Sequence, residues 1–275
     1  MDNIVNYRNS STGLGVFGQI LFIIVGVIAI YYLYKYLFTA QSNESAVILS
    51  GIQTAKKDKP VEVGMSSMPH IYEGGEYTVS MWLYINDWNV RKNYNKHILT
   101  IGGPSFDTLR IYLGAIQNNL RVRVHTKDQS KNVPTGTKAE PHTDGDSLQK
   151  MDKTFNTLQT DSGLLDSNHI CDIPQLDMQR WVNVTLVLSG KVADVYVDGK
   201  LSRSCVLPSF YKVDSGGYKT TLLAYGGFGG QVSNFTSYGR ALGPDDIHKV
   251  YMDGPEPVTG LLDYLKQFFE PEKMQ

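Results

Sequence analysis

Five aspartates, Asp144, Asp146, Asp152, Asp161 and Asp166, fall in a polar stretch between Lys127 and Asn168 and offer the hard oxygen ligands that calcium takes. Their spacing fits no EF-hand loop, and solvated acids in a loop explain them as well. Trp88 and Tyr94 lie in the polar segment DWNVRKNYNK, where exposed rings would make a platform for a glycan; packing of Trp88 on a domain edge is the competing reading. His97, His125, His142 and His169 show no metal-ligand spacing and read as ordinary surface or edge residues. No G-x-S-x-G elbow is present to anchor a serine nucleophile. Cys171 and Cys205 are too few for a cysteine-based zinc site and too far apart for a redox CxxC pair. A single disulfide or two buried thiols remain open. No catalytic set emerges, and calcium is the one cofactor the side chains suggest.

Charge narrows the partners. With 26 Lys and Arg against 27 Asp and Glu, and no long basic block, the chain lacks the concentrated positive surface that nucleic acid requires. Arg110, Arg121 and Arg123 would form a cationic strip on one sheet, a face that is usually solvated. Asn9, Asn43, Asn183 and Asn234 begin N-x-S/T sequons, but Asn183 and Asn234 fall in predicted strands, and chance accounts for all four.

The elements that would position these residues begin with a membrane segment. No charge appears between Arg8 and Lys35, and Phe17 to Phe38 is almost wholly apolar. Twenty-two helical residues span roughly 33 Å, enough for the ~30 Å hydrocarbon layer. Tyr31, Tyr32, Tyr34 and Tyr36 cluster with Lys35 as an interfacial belt does. A cleaved signal peptide would have a shorter apolar core and a better cleavage context than Phe38 before Ala40. The sequence predicts a tail over 1–14, a transmembrane helix over 15–39 and a linker over 40–69. Gly13 to Gly18 matches G-x-G-x-x-G, yet a polar tail precedes it and a membrane span follows, so nucleotide binding is rejected. Lys35 and the KKDK run at Lys56–Lys59 would by charge leave the large domain cytoplasmic.

Beyond the linker, period-2 alternation dominates. In YTVSMWLYI, Tyr77, Val79, Met81, Leu83 and Ile85 share one face, opposite Thr78, Ser80, Trp82 and Tyr84. Short strands are expected at 96–101 and 109–113, and Leu120, Val122 and Val124 alternate with Arg121, Arg123 and His125. The pattern collapses over 127–168, a polar insertion. It resumes at Trp181 as a three-strand meander, turning at Ser189-Gly190 and at Asp198-Gly199, where turn preference explains Asp198 without catalysis. Further strands are expected at 220–225 and 230–238, then a short helix from Pro244 with Asp245 and Asp246 in its first turn. The domain is expected to run over 70–253, and an amphipathic helix and tail over 254–275, with Leu261, Leu262, Leu265, Phe268 and Phe269 on one face.

Three segments in order, YTVSMWLYI, RWVNVTLVLSGKVADVYVDGKLSRS and GGFGGQVSNFTSYGRALGPDDI, resemble the laminin G-like, or concanavalin A-like, jelly-roll β-sandwich over about residues 70–252. The resemblance implies an all-β fold. More narrowly, Cys171-Asp-Ile before RWVNV and Ser204-Cys205-Val-Leu-Pro after the hairpin are similar to membrane-anchored members in large double-stranded DNA viruses and some algal or protist hosts. Such members are virion or membrane components without a known reaction. The resemblance further implies a Cys171–Cys205 bridge, hence an oxidising compartment and a sandwich on the non-cytoplasmic side of a single-pass membrane protein. Related modules often hold calcium on a loop rim. Glucanases on this sandwich carry Glu-x-Asp-x-x-Glu on one strand, and that pattern is absent here. The expectation is a membrane-anchored, non-catalytic recognition or structural module of a virion membrane, with the lipid bilayer and a glycan or neighbouring protein as partners. A glycoside-active enzyme and a cellular adhesion receptor are the alternatives.

Overall fold

A computed structural model describes residues 14–39, 45–127, 147–159 and 171–256. The chain divides into two units, Met1–Asn43 and Glu44–Gln275. The first is a single helix, α1 (Leu14–Thr39), of 26 residues with no acidic residue in its first turn. Its side chains are described over 18–33, where successive Leu21, Phe22 and Ile23 are all exposed, so no one face is the apolar one. Among the described residues no helix is long and apolar enough to cross a membrane.

The second unit is a β-sandwich of two antiparallel sheets. The larger has the order β1-β12-β4-β8-β9-β10, built from β1 (Ser45–Leu49), β12 (Gly229–Tyr238), β4 (Glu76–Asp87), β8 (Trp181–Ser189), β9 (Val192–Val197) and β10 (Lys200–Val206), with the short β2 (Gln53–Thr54) also paired to β12. The smaller has the order β3-β11-β5-β6-β7, from β3 (Val61–Gly64), β11 (Lys219–Leu222), β5 (Lys96–Gly102), β6 (Asp107–Leu113) and β7 (Leu120–Val124). Tyr77, Val79, Met81, Leu83 and Ile85 point from β4 into one core with Leu99, Ile111 and Leu222 of the opposite sheet. Their alternation follows from the two-residue period of a strand. At Asp198-Gly199 both residues have positive φ, 51° and 72°, the twist that a two-residue hairpin turn needs.

Two expectations change. The segment expected as a linker over 40–69 is structural from Ser45: β1 pairs with β12 from Ser45 opposite Tyr238, and β3 pairs with β11. The polar insertion at 127–168 contains a helix, α2 (Ser147–Asn156). On the second face of β4, Thr78, Ser80 and Trp82 are buried as well as the core face. A helix over Pro244–Met252, α3, covers it: Trp82 stacks on Tyr251 at 5.7 Å, and Ile247 packs with Val187 and Tyr196. Polar side chains on this buried face satisfy one another. Ser80 Oγ and Thr185 Oγ1 lie 2.8 Å apart, Thr78 Oγ1 donates to the Arg240 carbonyl at 2.8 Å, and Asn183 Nδ2 donates to the Met81 carbonyl at 3.3 Å. The Asn183 sequon is thereby closed to a glycan, and Asn234 is held by the Gly254 and Pro255 carbonyls at 3.2 and 2.8 Å. Asn9, Asn43 and the expected helix after residue 256 lie outside the described residues.

Cys171 and Cys205 are disulfide-bonded, with Cα atoms 5.6 Å apart and a sequence separation of 34. The bridge ties the residues just before β8 to the end of β10. Loop-closure entropy for that separation is worth roughly 3–4 kcal/mol. Replacing both cysteines by serine is expected to lower the unfolding free energy by about that amount, and the urea midpoint with it; equal midpoints for parent and double variant would refute a stabilising bridge.

Candidate functional site

The outer face of the five-stranded sheet carries the densest chemistry. Register places Glu62, Thr221, Thr100, Arg110 and Arg123 in one row across β3, β11, β5, β6 and β7. In the next row stand Gly64, Lys219, Gly102 and Asp107. One part of this face is roofed by α2. Met151 and Phe155, four residues apart and so on one helical face, pack with Tyr112 and Tyr225. Phe155 meets the His97 ring edge-on at 5.0 Å and stacks on Tyr225 at 5.1 Å.

The last turn of α2 leaves carbonyls without helical partners, and they take donors from the sheet and from the β4–β5 loop. Asn95 Nδ2 donates to the Thr154 carbonyl at 3.0 Å, Arg91 Nη2 donates to the Phe155 carbonyl, and Arg110 Nη1 donates to Thr154 Oγ1 at 3.2 Å. The negative end of the helix dipole thus faces cations. Arg110 also pairs with Asp107. Among the described residues no carboxylate pairs with Arg91 or with Lys96.

Lys96 is fully buried. Its ammonium donates to the Ala115 and Tyr94 carbonyls at 3.3 and 3.4 Å and sits 4.0 Å from the centre of the Trp88 ring. Burial, aided by the Arg91 charge, lowers its pKa to about 8. His97, read from sequence as a surface or edge residue, is instead wholly buried beneath α2. Its Nδ1 accepts from the Ala224 amide at 3.1 Å, so Nε2 carries the proton and donates to Thr100 Oγ1 at 2.8 Å. Burial, with Arg110 and Arg91 close by, pushes its pKa down to about 3, so the ring stays neutral.

Beside α2 the same sheet face is open and forms a cleft of about 300 Å³, bordered by Glu62, Thr100, Asp107, Lys219, Thr221 and Tyr225. Lys219 Nζ pairs with Glu62 Oε1 at 2.7 Å. Glu62 and Asp107 stand three strands apart, about 14 Å at the backbone. Each is held by a cation.

The structure brings Trp88 and Tyr94 into one loop but covers a face of each ring, Trp88 by Lys96 and Tyr94 by Arg91 at 5.3 Å. Trp88 also packs against the main core. Asp144, Asp146, Asp161 and Asp166 lie outside the described residues, as do His142 and His169; Asp152 lies on α2, with its side chain undescribed. Among the described residues no cluster of three metal-ligating side chains occurs. Of the arginine strip, Arg110 pairs with Asp107 and Arg123 with Asp172. Sequence reasoning missed Arg91, Lys96, Met151 and Phe155. The one available signal was the Met151/Phe155 spacing in an otherwise polar run.

No protein-family model matches the chain, and no curated protein matches it. Solved structures similar in shape include the sialidase of Trypanosoma rangeli in complex with 2,3-difluorosialic acid, at 13% identity and a TM-score of 0.41, covering 68% of this chain and 24% of that one. The botulinum neurotoxin serotype D ligand-binding domain in complex with N-acetylneuraminic acid is similar at 15% identity and a TM-score of 0.43, covering 77% and 46%. The serotype G binding domain gives 11% and 0.42, covering 76% and 46%. The chain spans about a quarter of the sialidase and under half of either toxin domain. No residue role passes from them to this chain.

The Lys96 environment makes a prediction with a definite sign. A lysine whose pKa is lowered on folding destabilises the fold below that pKa, and the penalty lifts as pH rises from about 8 towards the unfolded value near 10.4. The Trp88 contact offsets part of it. Lys96→Met should therefore be more stable than the parent at pH 7, by about 1–2 kcal/mol, with the difference shrinking between pH 8 and 10. Urea midpoints across that range measure it, and a difference independent of pH would exclude Lys96 as the titrating group.

Proposed function

We propose that the protein is a membrane-anchored, non-catalytic recognition module whose ligand, a glycan, is held on the open part of the five-stranded sheet. The observation that carries the reading is the cleft beside α2. The Thr221 hydroxyl, the carboxylates of Glu62 and Asp107 and the Lys219 ammonium surround a floor bounded by Tyr225. Donors and acceptors alternating beside an apolar wall suit a polyhydroxylated ligand, and the volume lies at the lower end of the ~300–1,000 Å³ range of ligand pockets.

The same geometry speaks against hydrolysis. A retaining glycosidase needs carboxyl groups ~5–5.5 Å apart and an inverting one ~6.5–9.5 Å. Glu62 and Asp107 start from backbones about 14 Å apart and are drawn to Lys219 and Arg110.

Anchoring is supported by α1. Its described positions 18–33 carry no charged side chain and, apart from Gln19 and the tyrosines Tyr31 and Tyr32, only apolar ones on every side. The laminin G-like kinship of the sandwich and its setting in the membrane of a large DNA virus, on the non-cytoplasmic side, belong to the same proposal and rest on the sequence resemblance; the disulfide favours an oxidising compartment.

Purified full-length protein in detergent, tested on an array of neutral and sialylated glycans, is expected to bind without turnover. Lys219→Ala and Thr221→Val should each weaken binding at least several-fold while leaving the urea midpoint nearly unchanged, because both positions border the cleft. Release of reducing sugar, lost on substitution of Glu62 or Asp107, would establish the enzyme instead. Membranes washed in alkaline carbonate should retain the protein; release into the wash would exclude an integral anchor.

A further inference from the structure

Several loops converge at the end of the sandwich where β4 begins and β8 ends, Glu76 being paired with Ser189. They present apolar side chains to solvent: Tyr72 is 67% exposed, Val206 69% and Phe210 45%. Phe210 is held in place. Its ring lies against Gly74, where a Cβ would come within 2.6 Å of it, and near Gly190; both glycines have positive φ, +62° and +60°. The Lys127 amide donates to the Phe210 carbonyl at 3.0 Å and the Gly74 amide to the Tyr211 carbonyl at 3.2 Å. Three lysines surround the rings. Lys191 Nζ is 5.1 Å from the Phe210 ring centre, Lys127 pairs with Glu73, and Lys212 lies over Phe106 at 4.8 Å. Glu73 and Glu76 stand among them, so the rim is mixed in charge.

The chain also joins the sandwich at this end. Ser45, first in β1, pairs with Tyr238, and Tyr238 pairs with Thr78, two residues from Glu76. In sequence, Ser45 follows Thr39, the last residue of α1, after five residues.

We propose that this rim, with Tyr72, Phe210 and Val206 as its contacts, is an interfacial membrane-binding surface that beds the sandwich in the headgroup layer of the bilayer. The proposal rests on the anchor reading given above. Aromatic rings flanked by lysines are the side chains that this layer accepts: the ring sits among the headgroups while the ammonium stays in water. Mixed charge suits a zwitterionic surface, with no demand for acidic lipid. A rim so placed leaves the opposite end of β4, some 36 Å away, in water.

The test uses full-length protein in phosphatidylcholine vesicles with and without bromine on shallow acyl carbons. Phe210→Trp places a fluorophore on the rim, and Tyr72→Trp is a second variant in case the first fails to fold. Leu201→Trp, exposed near the Asp198-Gly199 turn at the other end, is the control. Expected is a loss of emission in brominated vesicles for the rim variants beyond that of the parent, and none beyond the parent for the control. Equal quenching of rim and control variants overturns the proposal, and so does no added quenching of protein that resists carbonate. Release by carbonate marks instead the failure of the anchor on which the proposal rests.

Discussion

A strand buried on both faces tolerates no slip in register, because a shift of one residue would exchange every inward and outward side chain. β4 is such a strand, and the sandwich is organised around it. Its inner residues fill the core, and its outer residues lie beneath α3. Hydroxyls and one amide on that covered face would each be costly if left without partners. They are paired among Ser80, Thr185 and Asn183, with Thr78 closing the Arg240–Leu242 backbone over the sheet. The pairing fixes β4 against β8 more tightly than apolar burial would, since hydrogen bonds have direction and burial has none. It also uses Asn183 as a structural donor.

The second sheet meets a different problem, cations without anions. Arg91 reaches the last turn of α2 and Lys96 is buried against Trp88, and no carboxylate among the described residues answers them. Carbonyls and aromatic faces answer instead: Tyr94, Ala115 and Phe155 supply oxygen, and Trp88 and Tyr94 supply ring faces. This explains why a ten-residue helix with little apolar surface stays on the sheet. Met151 and Phe155 account for its burial, but the polar end-to-cation contacts fix where it sits. The two rings that might have received an external ligand are already receiving internal charges.

Much of the large sheet was legible in the sequence because its strands are long and alternate cleanly. β4, β8, β9 and the Asp198-Gly199 turn all announce themselves by period and turn chemistry. β1 to β3 do not: they are two to five residues long, and their order comes from pairing with distant β11 and β12. α2 was missed although Leu148, Met151 and Phe155 stand at helical spacing, because three apolar residues in a ten-residue polar run make a short signal. The buried state of His97 was hidden for another reason. Alternation says which side of a strand a residue faces, and it cannot say that a helix from forty or more residues later will cover that side. The disulfide was readable only as one of two options until the resemblance favoured it.

The open remainder of that outer face presents carboxylates that are already paired with cations. Glu62 is half exposed, and its Oε1 is engaged by Lys219 Nζ at 2.7 Å. Asp107 is partnered by Arg110 in the same way. Carboxylates held by neighbouring cations are acceptors whose orientation is already set. Because each carboxylate is already oriented by its cation, a ligand would meet a surface that needs little reordering, which favours affinity through preorganisation.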